Sequence, residues 1–357
     1  MNPLPHSPHV RPALAALLAI SLMAGALGED TVTLSNGDEL VGSVFGLAPE
    51  SVEIETADGV QKVSIVEIRE IAFDGEPAEV ADARRMLARS DARAASNTLA
   101  TLSAADLADE DRRIREEHAY LTLLAAVQSA SSEEAKAASA ALADFLDANP
   151  RSHHTYGGRE ALGNALAKQG RFEDAAAAYR ALDRGPPALR VRSAAAQGSQ
   201  LAEAGKPAEA IRLFEAAEAI TTDPDDKASA AQKRGAALGL ARCLAALGKA
   251  ADGTAVAEKV IREADPEDED LLAAAFAALG TCQRAAAAAE DALISFLTVD
   301  LVYNRLPEAH AEALYNLTQI WEASNNPERA RAARQDLTSS YPDSPWTAKL
   351  AEATGPS

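Results

Sequence analysis

Two adjacent histidines, His153 and His154, come closest to a metal-binding pair in this sequence. Adjacent side chains point in different directions, and no carboxylate follows them at the spacing of a metal-ligand motif. The acidic runs at residues 223–226 and 267–270 lack the glycine and the terminal glutamate of a calcium-binding loop. They are expected to be solvated loops whose aspartates cap helices. The sequence therefore predicts no metal site and no cofactor.

No set of residues has the spacing of a catalytic motif. Gly163 and Gly170 are not followed by the Gly-Lys-Ser/Thr of a phosphate-binding loop. The sequence also contains no Gly-x-Ser-x-Gly element and no serine–histidine arrangement that indicates a catalytic site. The prediction is a protein that is not an enzyme and has no catalytic residues. An enzymatic role would require a catalytic set that these residues do not show.

The composition excludes some functions and favours a particular kind of core. The 357-residue chain carries a formal net charge of −20, which argues against binding nucleic acid or an anionic membrane surface. Apolar residues make up 47% of the chain but aromatic residues only 4%, and alanine supplies most of the difference. Because each alanine buries little area, such a core needs helices that approach closely, as helix-pair repeats do.

The N-terminal residues have the pattern of a secretory signal peptide. Arg11 precedes a short apolar run at residues 13–27, and small residues stand at positions 26 and 28. Residues 1–28 are thus predicted to be a signal peptide cleaved after Gly28, with an uncleaved anchor as the alternative. The mature protein would be exported, either periplasmic or envelope-associated, and would have no integral membrane span.

Residues 31–73 alternate apolar and polar side chains in short runs that are separated by turn signals. Asn36-Gly37 and Asp58-Gly59 are strong hairpin signals, because both central positions of a two-residue turn favour positive φ. About five strands fit into residues 29–76, and a small curled barrel is expected.

This segment resembles the small Sm-like or SH3-like β modules that follow signal peptides in some exported bacterial proteins. The resemblance is carried by L-x-N-G-D-E-L-x-G-x-V at its start and I-x-x-I-x-F at its end. Cytoplasmic relatives of such barrels bind RNA, but this segment has few cations, so RNA binding is disfavoured. An edge strand that pairs with another protomer or with a partner strand is favoured instead.

The rest of the chain repeats a helix-pair pattern, which is clearest at residues 160–187. Gly163 and Ala175 are expected to let the two helices of a pair touch backbone to backbone. Leu166 and Tyr179 are expected to fill the space towards the neighbouring pairs, and a proline ends the unit. This unit resembles the tetratricopeptide repeat.

The same spacing recurs about every 35 residues. Further units lie near Gly198, Leu240, Phe276 and Leu317, and a weaker one precedes them near Ala138. Residues 105–128 are predicted to form one long helix. The resemblance implies a mainly α fold, a tetratricopeptide-type α-solenoid of five to six helix pairs over residues 77–350, followed by a disordered tail at 351–357.

Cys243 and Cys282 occupy the same place in consecutive units, where Ala165 stands in the clearest unit. A buried small residue is therefore favoured at both positions. A disulfide between them is the alternative.

The first helix of each pair lines an inner groove in this architecture, so its exposed residues are candidate ligand contacts. The candidate groove residues are Asn164, Lys168, Ser199, Arg242, Arg284, Tyr315 and Gln319. Three of them are cations in an acidic protein, which favours an acidic peptide or a chain terminus as the ligand. The alternative is that long side chains only keep this face solvated. The lysine and asparagine set of the family's carboxylate-clamp members is not found, so no clamp function is inferred.

The architecture and the lack of catalytic motifs favour a scaffold that binds protein or peptide partners in the solenoid groove. Self-association through the β module is a further role open to its edge strands. One alternative is an accessory subunit of an envelope or outer-membrane assembly machine, which differs only in its partner. A less favoured one is a cytoplasmic RNA-associated protein, which would require residues 1–28 not to be a signal.

Overall fold

The computed structural model describes residues 29–103 and 105–354. The predicted signal peptide, residues 1–28, lies outside the described residues, and so does the end of the predicted tail at 355–357. Among the described helices, none combines the length and the apolar character that crossing a bilayer requires.

The N-terminal β module is a five-stranded antiparallel sheet with the strand order β4-β3-β2-β1-β5, which confirms the predicted five strands. The strands are β1 (Asp30–Leu34), β2 (Glu39–Leu47), β3 (Ser51–Thr56), β4 (Gly59–Ser64) and β5 (Ile68–Ala72). Gly37 and Gly59 have φ values of +94° and +115°, which side chains disfavour, so glycine permits the tight turns there. β5 returns to pair with β1, and β4 and β5 are the two edges of the sheet.

Fifteen helices follow within the described residues. They are α1 (Ala78–Ala88), α2 (Ala92–Leu99), α3 (Arg112–Ser129), α4 (Ala135–Ala148), α5 (Thr155–Lys168), α6 (Phe172–Tyr179), α7 (Pro187–Glu203), α8 (Pro207–Ala219), α9 (Lys227–Ala246), α10 (Ala250–Glu263), α11 (Glu269–Ala285), α12 (Ala289–Leu301), α13 (Pro307–Ala323), α14 (Pro327–Ser340) and α15 (Pro345–Thr354). The first fourteen form seven consecutive pairs, which confirms the predicted solenoid. The structure has at least one pair more than the predicted five to six, and the first pair, α1 with α2, precedes the units recognised in the sequence. α15 continues past residue 350, where the solenoid was expected to end.

The start of α3 differs from the prediction of one long helix over residues 105–128. Residues 105–110 form turns and a bend, and the helix begins at Arg112. Asp111 is the N-cap residue, and its Oδ1 accepts a hydrogen bond of 2.8 Å from the backbone N–H of Arg113. The acidic loops follow the prediction, because Asp226 and Asp268 cap α9 and α11 in the same way.

Asp30 joins the β module to α3. Its Oδ2 accepts hydrogen bonds from the backbone N–H of Val44 at 2.8 Å and from Arg113 Nη1 at 2.7 Å. Its Oδ1 accepts a bond of 2.9 Å from the backbone N–H of Asp74. Ile114 of α3 is buried among the apolar side chains of the sheet. The buried charge is therefore compensated, and the sheet shares its core with a helix of the solenoid.

A recurring contact between a glycine and an aromatic ring holds the helix pairs together. A Cβ on Gly163 would lie 2.7 Å from the ring of Tyr179, and one on Gly280 would lie 2.8 Å from the ring of Phe296. The ring of Phe214 lies between two such glycines, Gly198 on α7 and Gly239 on α9. The expectation of backbone-to-backbone contact at Gly163 is therefore wrong, because the space that the missing side chain leaves is filled by the tyrosine ring.

The two cysteines are buried and free, as the repeat spacing favours. Cys282 Sγ donates a hydrogen bond of 3.4 Å to the carbonyl oxygen of Ala241 on the neighbouring inner helix. Burial raises the pKa of the Cys282 thiol to about 11. This thiol therefore acts as a small apolar side chain rather than as a nucleophile.

We expect Gly239→Ala to lower the free energy of unfolding by about 1–3 kcal/mol, because its methyl group overpacks against Phe214. Gly235 lies one turn earlier on α9, and a Cβ there would meet nothing within 4 Å. Gly235→Ala should raise the free energy of unfolding by about 0.5–1 kcal/mol, since alanine loses less backbone entropy in a helix. Urea unfolding followed by far-UV circular dichroism measures both. If both substitutions changed the free energy of unfolding in the same direction, the packing of the Phe214 ring on Gly239 would be contradicted.

Candidate functional site

The inner helices α7, α9, α11 and α13 pack side by side along one face of the solenoid. A cavity of about 810 Å³ opens on this face. Its lining includes Ser199, Arg242, Thr281, Glu312 and Trp346. This cavity, called the groove cavity below, is thus lined by all four of these inner helices and by the C-terminal helix α15.

Glu312 lines the groove cavity and joins three helices. Its side chain is buried on α13, with a residue exposure of only 6%. Its Oε2 accepts a hydrogen bond of 3.0 Å from Arg242 Nη2 on α9. Its Oε1 accepts one of 2.9 Å from Thr281 Oγ1 on α11. These two hydrogen bonds to a buried side chain fix the three helices relative to one another.

Arg284 continues this polar row along α11 and α13. Its Nη2 donates to Gln319 Oε1 at 3.2 Å, and its Nη1 donates to Asn316 Oδ1. Two of the three cations predicted for the groove, Arg242 and Arg284, therefore have acceptors within the protein. Both side chains therefore hold inner helices together.

The seven predicted groove residues lie at separate places and do not form one site. Ser199 and Arg242 line the groove cavity. Arg284 and Gln319 line a smaller cavity of about 290 Å³. Asn164 and Lys168 line a third, of about 820 Å³, beside α3. Tyr315 packs against Trp346, with ring centroids 5.2 Å apart.

Some residues of the groove cavity were missed by the sequence reasoning. Glu312 and Thr281 lie on inner helices, but their repeat positions do not distinguish them from solvated polar residues. Trp346 and Lys349 belong to α15, a helix from which the sequence reasoning took no groove residue. The Lys349 ammonium lies 4.2 Å from the centroid of the Trp346 ring, so the pair forms a cation–π contact at the rim.

The two adjacent histidines lie together against Glu117 of α3, so the prediction that they point apart is wrong. Their ring centroids are 3.8 Å apart. Glu117 Oε2 lies 2.9 Å from His154 Nε2 and 3.7 Å from His153 Nε2. The turn before α5 places both rings on the same side, which periodicity within a helix does not describe. These three residues are called the Glu117 cluster below.

Each member of the Glu117 cluster is enclosed by other side chains. The His154 ring stacks on Tyr120 with a centroid distance of 3.8 Å, and the His153 ring meets the Phe73 ring edge-on at 6.5 Å. Burial, followed by the neighbouring His153, lowers the pKa of His154 in spite of Glu117. Burial alone would raise the pKa of Glu117, but its interactions with His154, His153 and Arg84 outweigh burial and hold this pKa well below the ordinary value.

One signal in the sequence could have identified Glu117. It lies three residues after Ile114 and four before Leu121, and both of these apolar residues are buried on α3. This spacing places the carboxylate on the buried face of the helix. A charged residue at such a position requires a partner.

No protein-family profile and no curated protein sequence matches this chain. Among solved structures, a tetratricopeptide repeat protein from Parabacteroides merdae ATCC 43184 is 14% identical with a TM-score of 0.57, covering 77% of this chain and 96% of that one. The apo form of RapI is 12% identical with a TM-score of 0.54, covering 78% and 80%. NprR in complex with its cognate peptide NprX is 12% identical with a TM-score of 0.52, covering 77% and 81%. These likenesses show the fold, a tetratricopeptide-like solenoid.

Proposed function

We propose that this protein is a non-enzymatic scaffold of the bacterial periplasm or cell envelope, which binds a peptide segment of a partner protein in the groove cavity. The observation that carries the proposal is a cavity of about 810 Å³ on the inner helices. Its volume lies within the range of pockets that take a ligand, about 300–1,000 Å³. Its polar centre, Glu312 with Arg242 and Thr281, is already ordered, so binding requires little rearrangement there.

The lining of the cavity indicates the chemistry of the segment. Trp346 supplies aromatic surface for apolar side chains of a ligand. The charged lining residues are Glu203, Glu308, Glu312, Arg242 and Lys349, and three acids against two bases give a net charge of −1. This charge balance favours an uncharged or mildly basic peptide segment. The three cations predicted for the groove from the sequence had favoured an acidic peptide.

The fold supports a peptide ligand. The solenoid of NprR, whose structure holds the cognate peptide NprX, shares the architecture of this chain at a TM-score of 0.52. An accessory subunit of an envelope or outer-membrane assembly machine would use the same groove and differ in the identity of its partner. A scaffold function is favoured over an RNA-binding one because the chain carries a net charge of −20.

The proposed location depends on residues 1–28. A cationic residue, a short apolar run and small residues at positions 26 and 28 support export. We expect cell fractionation to recover the protein outside the cytosol, and N-terminal sequencing to read Glu29 as the first residue. An intact Met1 on a cytosolic protein would contradict export and favour the RNA-associated alternative.

A selection from a phage-displayed random peptide library on the full chain tests the groove. We expect the enriched peptides to be neutral or mildly basic and to contain an aromatic residue. Ser199→Phe should weaken their binding at least about tenfold, because its ring would occupy the cavity that the exposed Ser199 lines. Ser339→Phe is the matched control, since Ser339 is exposed on α14, the second helix of its pair. Equal binding by the wild-type chain and Ser199→Phe would sink the proposal, as would a library that yields no binder.

A further inference from the structure

The donor atoms of the Glu117 cluster have the spacing of a metal site. One ligand atom from each of Glu117, His153 and His154 lies within 4.8 Å of the other two. A tetrahedral ion with metal–ligand bonds of about 2.1 Å separates its donor atoms by about 3.4 Å. The two measured distances to Glu117 Oε2, 2.9 and 3.7 Å, lie on either side of that value. Small shifts of two side chains would therefore complete the geometry.

Two of the atoms joined by these distances, Glu117 Oε2 and His154 Nε2, are buried without hydrogen bonds. Within the part of the chain that the structure describes, Glu117 Oε2, His154 Nε2 and His153 Nδ1 have no hydrogen-bond partner. Folded proteins rarely leave buried polar atoms in this condition. Oε2 and the His154 Nε2 approach each other closely, yet they are not aligned as donor and acceptor. A cation between the carboxylate and the rings would satisfy both atoms at once.

The second oxygen of Glu117 is held in the way that metal-binding carboxylates are held. Arg84 Nε donates to Glu117 Oε1 at 3.1 Å, which leaves Oε2 turned towards the histidines. Arg84 is itself fixed by Glu76, whose two oxygens accept bonds of 2.9 Å each. Hydrogen-bond partners that are not themselves ligands orient the ligating side chains in this manner and raise metal affinity.

The charge around Arg84 also favours a divalent ion. Glu70, Glu76 and Glu117 all lie within 3.5 Å of its guanidinium, so three carboxylates surround one cation and the formal sum is −2. Imidazole binds a metal ion in its neutral form and so does not change this sum. A divalent cation bound by the Glu117 cluster would bring it to zero, which matters because the site is largely removed from water.

The Glu117 cluster is reached from a cavity of about 530 Å³ between the β module and the helices, lined also by Ile68 and Tyr156. Water from this cavity can supply a fourth ligand. Two imidazole nitrogens and one carboxylate oxygen suit zinc and its neighbours in the first transition row, whereas calcium and magnesium prefer oxygen alone. We propose that Glu117, His153 and His154 bind a divalent transition-metal ion of the zinc class, with water as the remaining ligand.

Zinc titration of the full chain tests this site. The protein is prepared without a histidine tag, treated with chelator, and titrated with Zn²⁺ in a calorimeter. We expect a site that takes one ion per chain, and at least about 100-fold weaker binding in Glu117→Gln and in His153→Gln, because loss of a ligand exceeds the about 10–100-fold effect of losing an orienting partner. The matched controls are Glu116→Gln and His118→Gln, which change the same residue types on α3 outside the cluster. Binding that persists unchanged in Glu117→Gln would overturn the proposal.

Cobalt spectra of the wild-type chain give a result that does not depend on a variant folding. Co²⁺ in a tetrahedral site of nitrogen and oxygen ligands has intense visible absorption, whereas octahedral Co²⁺ absorbs weakly. We expect intense bands at one equivalent of Co²⁺ and their loss when Zn²⁺ is added. Weak octahedral absorption, or none, would overturn the proposal. Circular dichroism of each metal-free variant separates lost ligation from lost folding.

Discussion

The solenoid depends on aromatic rings that lie on helical glycines. The chain has few aromatic residues and a core of alanine, so apolar burial per residue is small and close approach of the helices is essential. Phe214 illustrates the constraint, because its ring fits only where both Gly198 and Gly239 lack a side chain. The same ring thereby sets the distance between successive inner helices. It also forms part of the wall of the groove cavity, so the packing of the core and the shape of the candidate site have one cause.

Buried charged side chains join strands and helices that apolar packing alone does not fix relative to one another. Asp30 ties the first strand to α3, Glu312 ties three inner helices together, and Arg84 gathers three carboxylates beneath the β module. Each of these groups is expensive to bury alone and stable only with its partners present. The charged residues of the interior therefore specify which elements meet. Among the described residues, the Glu117 cluster departs from this pattern in part, because Glu117 Oε2 and His154 Nε2 remain without hydrogen bonds.

Much of the fold could be predicted from the sequence because its signals are local. Asn-Gly and Asp-Gly pairs locate hairpins, and recurring glycine and aromatic positions locate helix pairs, since both depend on neighbours a few residues away. The residues of the groove were predicted less well. Arg242 and Arg284 find their acceptors on α13, many residues further along the chain, and no local pattern predicts such pairs. The prediction that His153 and His154 point apart was wrong for a related reason. A turn rather than a helix sets the direction of their rings.

Photo-crosslinking in cells tests the central claim, that partners bind on the inner face of the solenoid, most directly. A photoreactive amino acid is placed at Ala246, which is exposed in the groove cavity, or at Ile294, which is 64% exposed on α12, the second helix of its pair. The account predicts a discrete crosslinked partner from position 246, identified by mass spectrometry as an exported or envelope protein, and none from position 294. The same partner from position 294 alone would contradict it.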